Sequence, residues 1–117
     1  MDLFRWLKNS GWKDWPPPPQ VPEGPPGPVV RRRYRFSGVV QGVGFRYEAK
    51  FVASGLELAG WVRNEADGSV TVEIEGGADR VGAFLLAMEA VPRFDITDVR
   101  EEELPPSGTG KGFHVLY

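Results

Sequence analysis

Eight of the eleven prolines in this 117-residue chain fall between Pro16 and Pro28, and that clustering limits where a packed core can form. Proline has no backbone N–H and holds φ at about −65°, so this stretch cannot sit inside a helix or a central strand. It is pre-set toward an extended, semi-rigid polyproline II linker instead. Three parts are therefore expected: a Trp-rich head at 1–15, a proline-rich linker at 16–30 and a folded body at 31–117. The body is long enough for one compact domain and too short for two.

Composition narrows the chemistry. There is no cysteine and one histidine, His114, which excludes a disulfide framework, a thiol nucleophile, a zinc finger and a histidine-based triad with a spare imidazole. Fourteen Lys and Arg against sixteen Asp and Glu leave a formal charge of −2, so no global basic field gathers nucleic acid or an anionic membrane. Any anion site must be local. No apolar run approaches the roughly 18 residues of a spanning helix, and the first residues lack the apolar stretch of a secretory signal. A soluble, cytoplasmic protein is the expectation.

The head carries Trp6, Trp12 and Trp15, with Leu3 and Leu7 one helical turn apart. One reading is a short sticky helix that docks on an unknown partner or membrane surface, with the PxxP spacing behind it as a second possible ligand. The plainer reading is a tail and spacer, because Asn9-Ser10-Gly11 would break so short a helix.

From Arg31 onward the periodicities are clear. Tyr34, Phe36, Gly38 and Val40 alternate with Arg33, Arg35, Ser37 and Val39, the period-2 pattern of a strand with one buried face. Phe45, Ala49, Val52 and Leu56 follow at helical spacing. Leu58 to Asn64 and Val70 to Ile74 read as two strands, joined by the turn-forming Ala66-Asp67-Gly68-Ser69. Val81, Phe84, Leu85 and Met88 mark a second helix that Pro92 ends. Ile96 to Leu104 gives a fourth strand, and Phe113, Val115 and Tyr117 form one face of a last one. The order βαββαβ plus a terminal strand predicts an α+β, ferredoxin-like sandwich: an antiparallel sheet with two helices on one face. The right-handed crossover rule makes the first two strands parallel, so their carboxyl ends share an edge, whether or not another strand lies between them.

At that edge stands Gln41-Gly42-Val43-Gly44-Phe45-Arg46, a glycine-spaced loop running into the first turn of a helix. Such a loop can turn successive N–H groups toward one anion, the helix N-terminus adds partial positive charge, and Arg46 supplies a forked guanidinium. A plain strand-to-helix connection with a solvated arginine is the alternative, and the GK[ST] ending of a Walker loop is absent. Asn64, ending the second strand, is expected at the same edge. Its amide can donate to phosphate or hold a water, or it can simply open the hairpin turn.

Taken together, Gly38-Val39-Val40-Gln41-Gly42-Val43-Gly44-Phe45-Arg46 closely resembles the phosphate-binding signature of the acylphosphatase family. Gly60-Trp61-Val62-Arg63-Asn64 with Gly68, Val70 and Gly76 is similar to that family's second pattern. The resemblance covers about Arg31 to Tyr117 and implies the ferredoxin-like sandwich. It implies an enzyme that hydrolyses acyl phosphates to a carboxylate and inorganic phosphate, with no cofactor and no metal. It further implies catalytic roles for Arg46, which binds phosphate, and Asn64, which positions the attacking water, with Gln41, Gly42, Val43, Gly44, Phe45 and Arg46 forming the phosphate cradle. Glu65 departs from the family, which often carries a small hydroxyl residue there; strand alternation is expected to turn it to the opposite face.

Two other function classes compete. A domain of this type can recognise phosphate or carbamoyl phosphate without turnover. An RRM-like RNA-binding module would use the same architecture, and Arg31-Arg32-Arg33-Tyr34-Arg35-Phe36 interleaves basic and aromatic residues. Against RNA, Ser69 to Glu75 offers acidic and aliphatic side chains that cannot stack bases. The arginine run and Glu101-Glu102-Glu103 are read as solvated strand ends, and His114 as a surface residue. The Tyr117 carboxylate is expected to approach Arg46 when no substrate is bound.

Overall fold

A computed structural model describes residues 21–24, 27–108 and 110–117; the Trp-rich head and most of the proline stretch lie outside the described residues. The elements follow in the expected order. They are β1 (Val29–Val39), α1 (Phe45–Gly55), β2 (Ala59–Asn64), β3 (Val70–Gly77), α2 (Ala78–Glu89), β4 (Asp95–Leu104) and β5 (Phe113–Leu116).

The strands form one sheet in the order β4-β1-β3-β2-β5. β3 lies between β1 and β2 and runs antiparallel to both, so β1 and β2 are parallel and end at the same edge. β5 departs from the all-antiparallel expectation: it pairs with β2 in parallel, from Gly60 opposite Phe113 to Arg63 opposite Leu116. The reason is directional. β4 runs against β1, so a loop that reverses the chain after β4 returns it along β1 and β2. The β1–β4 ladder shifts register between Ser37 and Gly38, next to the loop that follows β1.

Alternation sends Tyr34, Phe36, Val62, Val70, Val72 and Ile74 to one face, where they meet Phe45, Ala49, Val52 and Leu56 of the α1 segment and Val81, Phe84 and Met88 of α2 in one core. The opposite face is charged and ordered. Arg31 reaches Glu73 at 2.7 Å and Glu75 at 3.4 Å, and Arg33 reaches Glu73 at 3.1 Å and Glu102 at 3.2 Å, whereas Arg32, on the same side of β1 as Tyr34, reaches Glu103 at 3.2 Å. The arginine run and the Glu101–Glu103 triplet are thus cross-strand partners rather than merely solvated ends, because the β1–β4 register sets Arg32 opposite Glu103 and Arg33 opposite Glu102. Tyr34 donates its hydroxyl to Glu101 at 2.9 Å, and burial pushes that hydroxyl up to about 12.

Candidate active site

The loop after β1 is shaped by two glycines in the left-handed region, Gly42 at φ 75° and Gly44 at φ 82°. Gly44 is the N-cap of α1 and carries no side-chain cap. The first N–H groups of a helix have no intrahelical partner. Among the described residues, no backbone carbonyl accepts from the N–H groups of residues 42 to 47, whereas Glu48 begins the helical pattern by donating to the Gly44 carbonyl at 3.1 Å. A set of uncommitted donors therefore sits at the positive end of the helix.

Two side chains hold this loop. Gln41 donates its amide to the Glu65 carbonyl at 2.8 Å and to the Ser69 carbonyl at 2.9 Å, tying the loop to the turn that follows Asn64. The Gln41 side-chain donors are spent on that brace, so its contribution to a bound anion would come through the main chain. Phe45 is buried between Phe36 and Phe94, with ring centroids 4.9 and 4.8 Å away, and anchors the start of the helix in the core.

Val40, Gly42, Gly44, Phe45, Arg46, Tyr47 and Asn64 line a cavity of about 170 Å³. The loop and the end of β2 thus meet, as parallel strands ending at one edge require. Larger hollows of about 530 and 560 Å³ lie elsewhere, one on the charged sheet face and one along the start of β4, and neither is lined by Arg46 or Asn64. The smaller cavity is where donors, guanidinium and carboxamide converge. Asn64 is half-buried, and its carboxamide makes no hydrogen bond among the described residues.

Arg46 donates through Nη1 to the Leu116 carbonyl at 3.2 Å and lies 4.8 Å from the ring centroid of Tyr117. Tyr117 in turn shares a 2.9 Å hydrogen bond with the Tyr47 hydroxyl. The end of β5 does approach Arg46, but through a backbone carbonyl and an aromatic ring, not through the expected Tyr117 carboxylate. The other arginine at this edge has no counterpart in the sequence reading: Arg93 donates through Nε to the Val43 carbonyl at 2.9 Å. Its signal was a cation directly after Pro92, in the turn between α2 and β4 that ends at the same edge.

Glu65 points away from the cavity, toward Arg63 at 3.0 Å on the charged sheet face. The Thr71 hydroxyl and then Arg63 hold its carboxyl below the usual carboxylate range. A negative charge next to Asn64 in sequence is therefore kept off the site by strand alternation. His114 is exposed, its Nε2 3.1 Å from the Lys111 carbonyl, and it does not line the cavity. No helix among the described residues is long and apolar enough to cross a membrane.

The model of the acylphosphatase family matches residues 32–115. The chain is 37% identical over 90 residues to an acylphosphatase of Bacillus licheniformis, an alignment spanning 76% of this chain and all of that one. The crystal structure of acylphosphatase from Bacillus subtilis superposes with a TM-score of 0.71 at 34% identity, covering 75% of this chain and 99% of that one. Full-length HypF, in a phosphate- and nucleotide-bound form, matches with a TM-score of 0.72 at 25% identity, over 81% of this chain but 13% of its own. A cavity that unites a glycine-shaped helix N-terminus with Arg46 and Asn64, on a sandwich whose sequence matches along almost its whole length, identifies this chain as belonging to the acylphosphatase family.

Proposed function

We propose that the chain hydrolyses acyl phosphates by in-line attack of a water held by Asn64, with the phosphoryl group bound by Arg46 and the N–H groups of residues 42 to 46 and with no metal taking part. The observation that carries this reading is the shared cavity: uncommitted helix-terminal donors, a guanidinium and an uncommitted carboxamide line the same 170 Å³. The carboxylate leaving group has a conjugate acid of pKa about 4, so it departs without protonation and needs no general acid. What remains is to hold the phosphoryl group, aim water at it and stabilise the equatorial oxygens, work that fixed N–H dipoles and a forked cation can do. Arg46 enters this role already oriented by the Leu116 carbonyl, with its remaining N–H groups uncommitted among the described residues.

In this reading residues 31–117 are the hydrolytic unit, residues 1–30 stand apart from catalysis, and the cysteine-free chain works in the reducing cytosol. The likeness to phosphate-bound HypF favours a second reading, in which the same loop binds phosphate or carbamoyl phosphate without turnover. Benzoyl-phosphate hydrolysis in the presence of a chelator separates them. Sustained turnover that falls on Arg46→Ala and Asn64→Ala supports the hydrolase. Loss of turnover to the chelator would overturn the metal-free mechanism, and phosphate binding with no parent turnover would leave the binding domain standing.

A further inference from the structure

Glu48 lies in the first turn of α1 and is 4% exposed, on the helix face that also buries Phe45, Ala49, Val52 and Ala53. A carboxylate in that position is costly unless a cation meets it. Arg93 does so, with Nη2 3.7 Å from the Glu48 carboxylate and its guanidinium 4.9 Å from the Phe94 ring centroid. Burial pushes the Glu48 carboxyl up, and Arg93 pulls it back. The same guanidinium donates through Nε to the Val43 carbonyl at 2.9 Å, so Glu48, the Phe94 ring and the phosphate loop are joined through one planar group.

We propose that Arg93 is a positioning residue for the phosphoryl site: held by buried Glu48, it prevents the peptide between Val43 and Gly44 from flipping. The inference rests on the reading of residues 42 to 46 as the phosphate cradle. A trans peptide is planar, and its carbonyl and N–H point in opposite directions. With the Val43 carbonyl fixed on Arg93, the Gly44 N–H points away from Arg93. Gly44 lines the cavity and Arg93 does not. Released, this peptide would turn easily, because glycine tolerates either sign of φ. The flip would present a carbonyl oxygen where a dianion needs a donor.

The test uses the full chain and measures benzoyl-phosphate kinetics, competitive inhibition by inorganic phosphate, and the thermal midpoint. Arg93→Met is expected to raise KM and the phosphate inhibition constant in parallel by about tenfold, the worth of one charge-assisted hydrogen bond, while kcat stays within about threefold. Arg93→Lys keeps a donor for Val43 and is expected to fall between parent and Met. Arg93→Met also strands Glu48, so the double variant Glu48→Leu with Arg93→Met provides the control. Its midpoint should return toward the parent while KM and the inhibition constant stay raised. If those constants recover with the midpoint, or if Arg93→Met binds phosphate like the parent, the positioning role is overturned. Arg46→Ala with parental KM and inhibition constant would instead remove the cradle itself, and the brace with it.

Discussion

Arg46 donates to the Leu116 carbonyl across 3.2 Å, so the guanidinium at the mouth of the cavity is oriented by the last strand of the sheet. That carbonyl carries only a partial charge and can be outweighed by a phosphoryl dianion. Ending the chain at Leu116 would place a full carboxylate on that residue beside Arg46. The truncated chain is expected to show a KM raised about fivefold at low salt, the scale of one exposed ion pair, with the difference shrinking as salt is added. Tyr117→Ala keeps the Leu116 peptide carbonyl and should change KM less. Steady-state kinetics across ionic strength compares the two.

In the proposed mechanism Asn64 holds the water and not the phosphoryl group, and two substitutions divide those roles. Asn64→Ala should lower kcat by about 10²–10³, as losing one preorganised donor does, with KM nearly unchanged. Asn64→Asp keeps an acceptor but adds a negative charge beside a dianion, so kcat should fall and KM should rise as well. That rise should fade below about pH 4, where the new carboxyl protonates. A KM for Asn64→Asp that does not respond to pH would place residue 64 outside the phosphoryl field.

Gly44→Ala tests the loop backbone. The nearest atom to an added Cβ is Arg93 Nη2 at 3.6 Å, an ordinary contact, so the cost is the left-handed φ of 82° rather than crowding. About 1–2 kcal/mol is expected, a fall of about 4–8 °C in thermal midpoint for each kcal/mol. Phosphate binding should weaken with it, because the loop must distort to relieve the strain. Calorimetry with and without phosphate measures both.

Glu75 is buried on the charged sheet face and accepts from the Ser107 N–H at 2.6 Å and the Gly108 N–H at 3.0 Å. Burial alone would raise its carboxyl, but those donors, the Ser107 hydroxyl and Arg31 hold it below the ordinary value. With the folded value depressed, the stabilisation is complete above the ordinary carboxylate range and is lost as pH falls through the lowered value. Glu75→Gln should therefore cost about 1–3 kcal/mol at neutral pH and progressively less toward acid. Denaturation midpoints for parent and variant as a function of pH should converge on the acid side. Parallel curves would show that the charge contributes nothing.

Gly27 donates to the Asp79 side chain at 3.1 Å, and the Ala78 N–H donates to the Pro28 carbonyl at 2.9 Å, so the residues just before β1 satisfy the start of α2. Deleting residues 1–20 should leave kcat and KM within about twofold of the parent. Deleting 1–28 should leave hydrolysis intact but lower the midpoint by a few degrees, at about 0.5–2 kcal/mol for a lost helix-start partner. A large loss of activity from the shorter deletion would make the Trp-rich segment part of the site.

Much of this arrangement was legible because it is written in short-range stereochemistry. The buried positions Tyr34 and Phe36 follow from period-2 alternation, and Phe45, Ala49, Val52 and Leu56 from helical spacing. The glycine-spaced loop and its convergence with Asn64 followed from the crossover rule, which constrains strand direction without knowledge of any contact. Glu65 turned outward for the same local reason that Asn64 turned inward.

Other features depended on which strands became neighbours. The pairing of Arg32 with Glu103 and Arg33 with Glu102 exists only in the β1–β4 register, which no local pattern specifies. The parallel docking of β5 on β2 delivers the Leu116 carbonyl, rather than the terminal carboxylate, to Arg46. Arg93 meets Val43 across fifty residues, and Glu48 looks like a solvated helix residue until the turn after α2 folds over it. The sequence by itself determined the elements, their order, the buried faces and the chemistry available at one edge, because torsional preference and hydrophobic period act between near neighbours. Only the tertiary structure decided which groups brace that edge, because those contacts join residues far apart in sequence, and their geometry is set by the closure of the whole sheet and core.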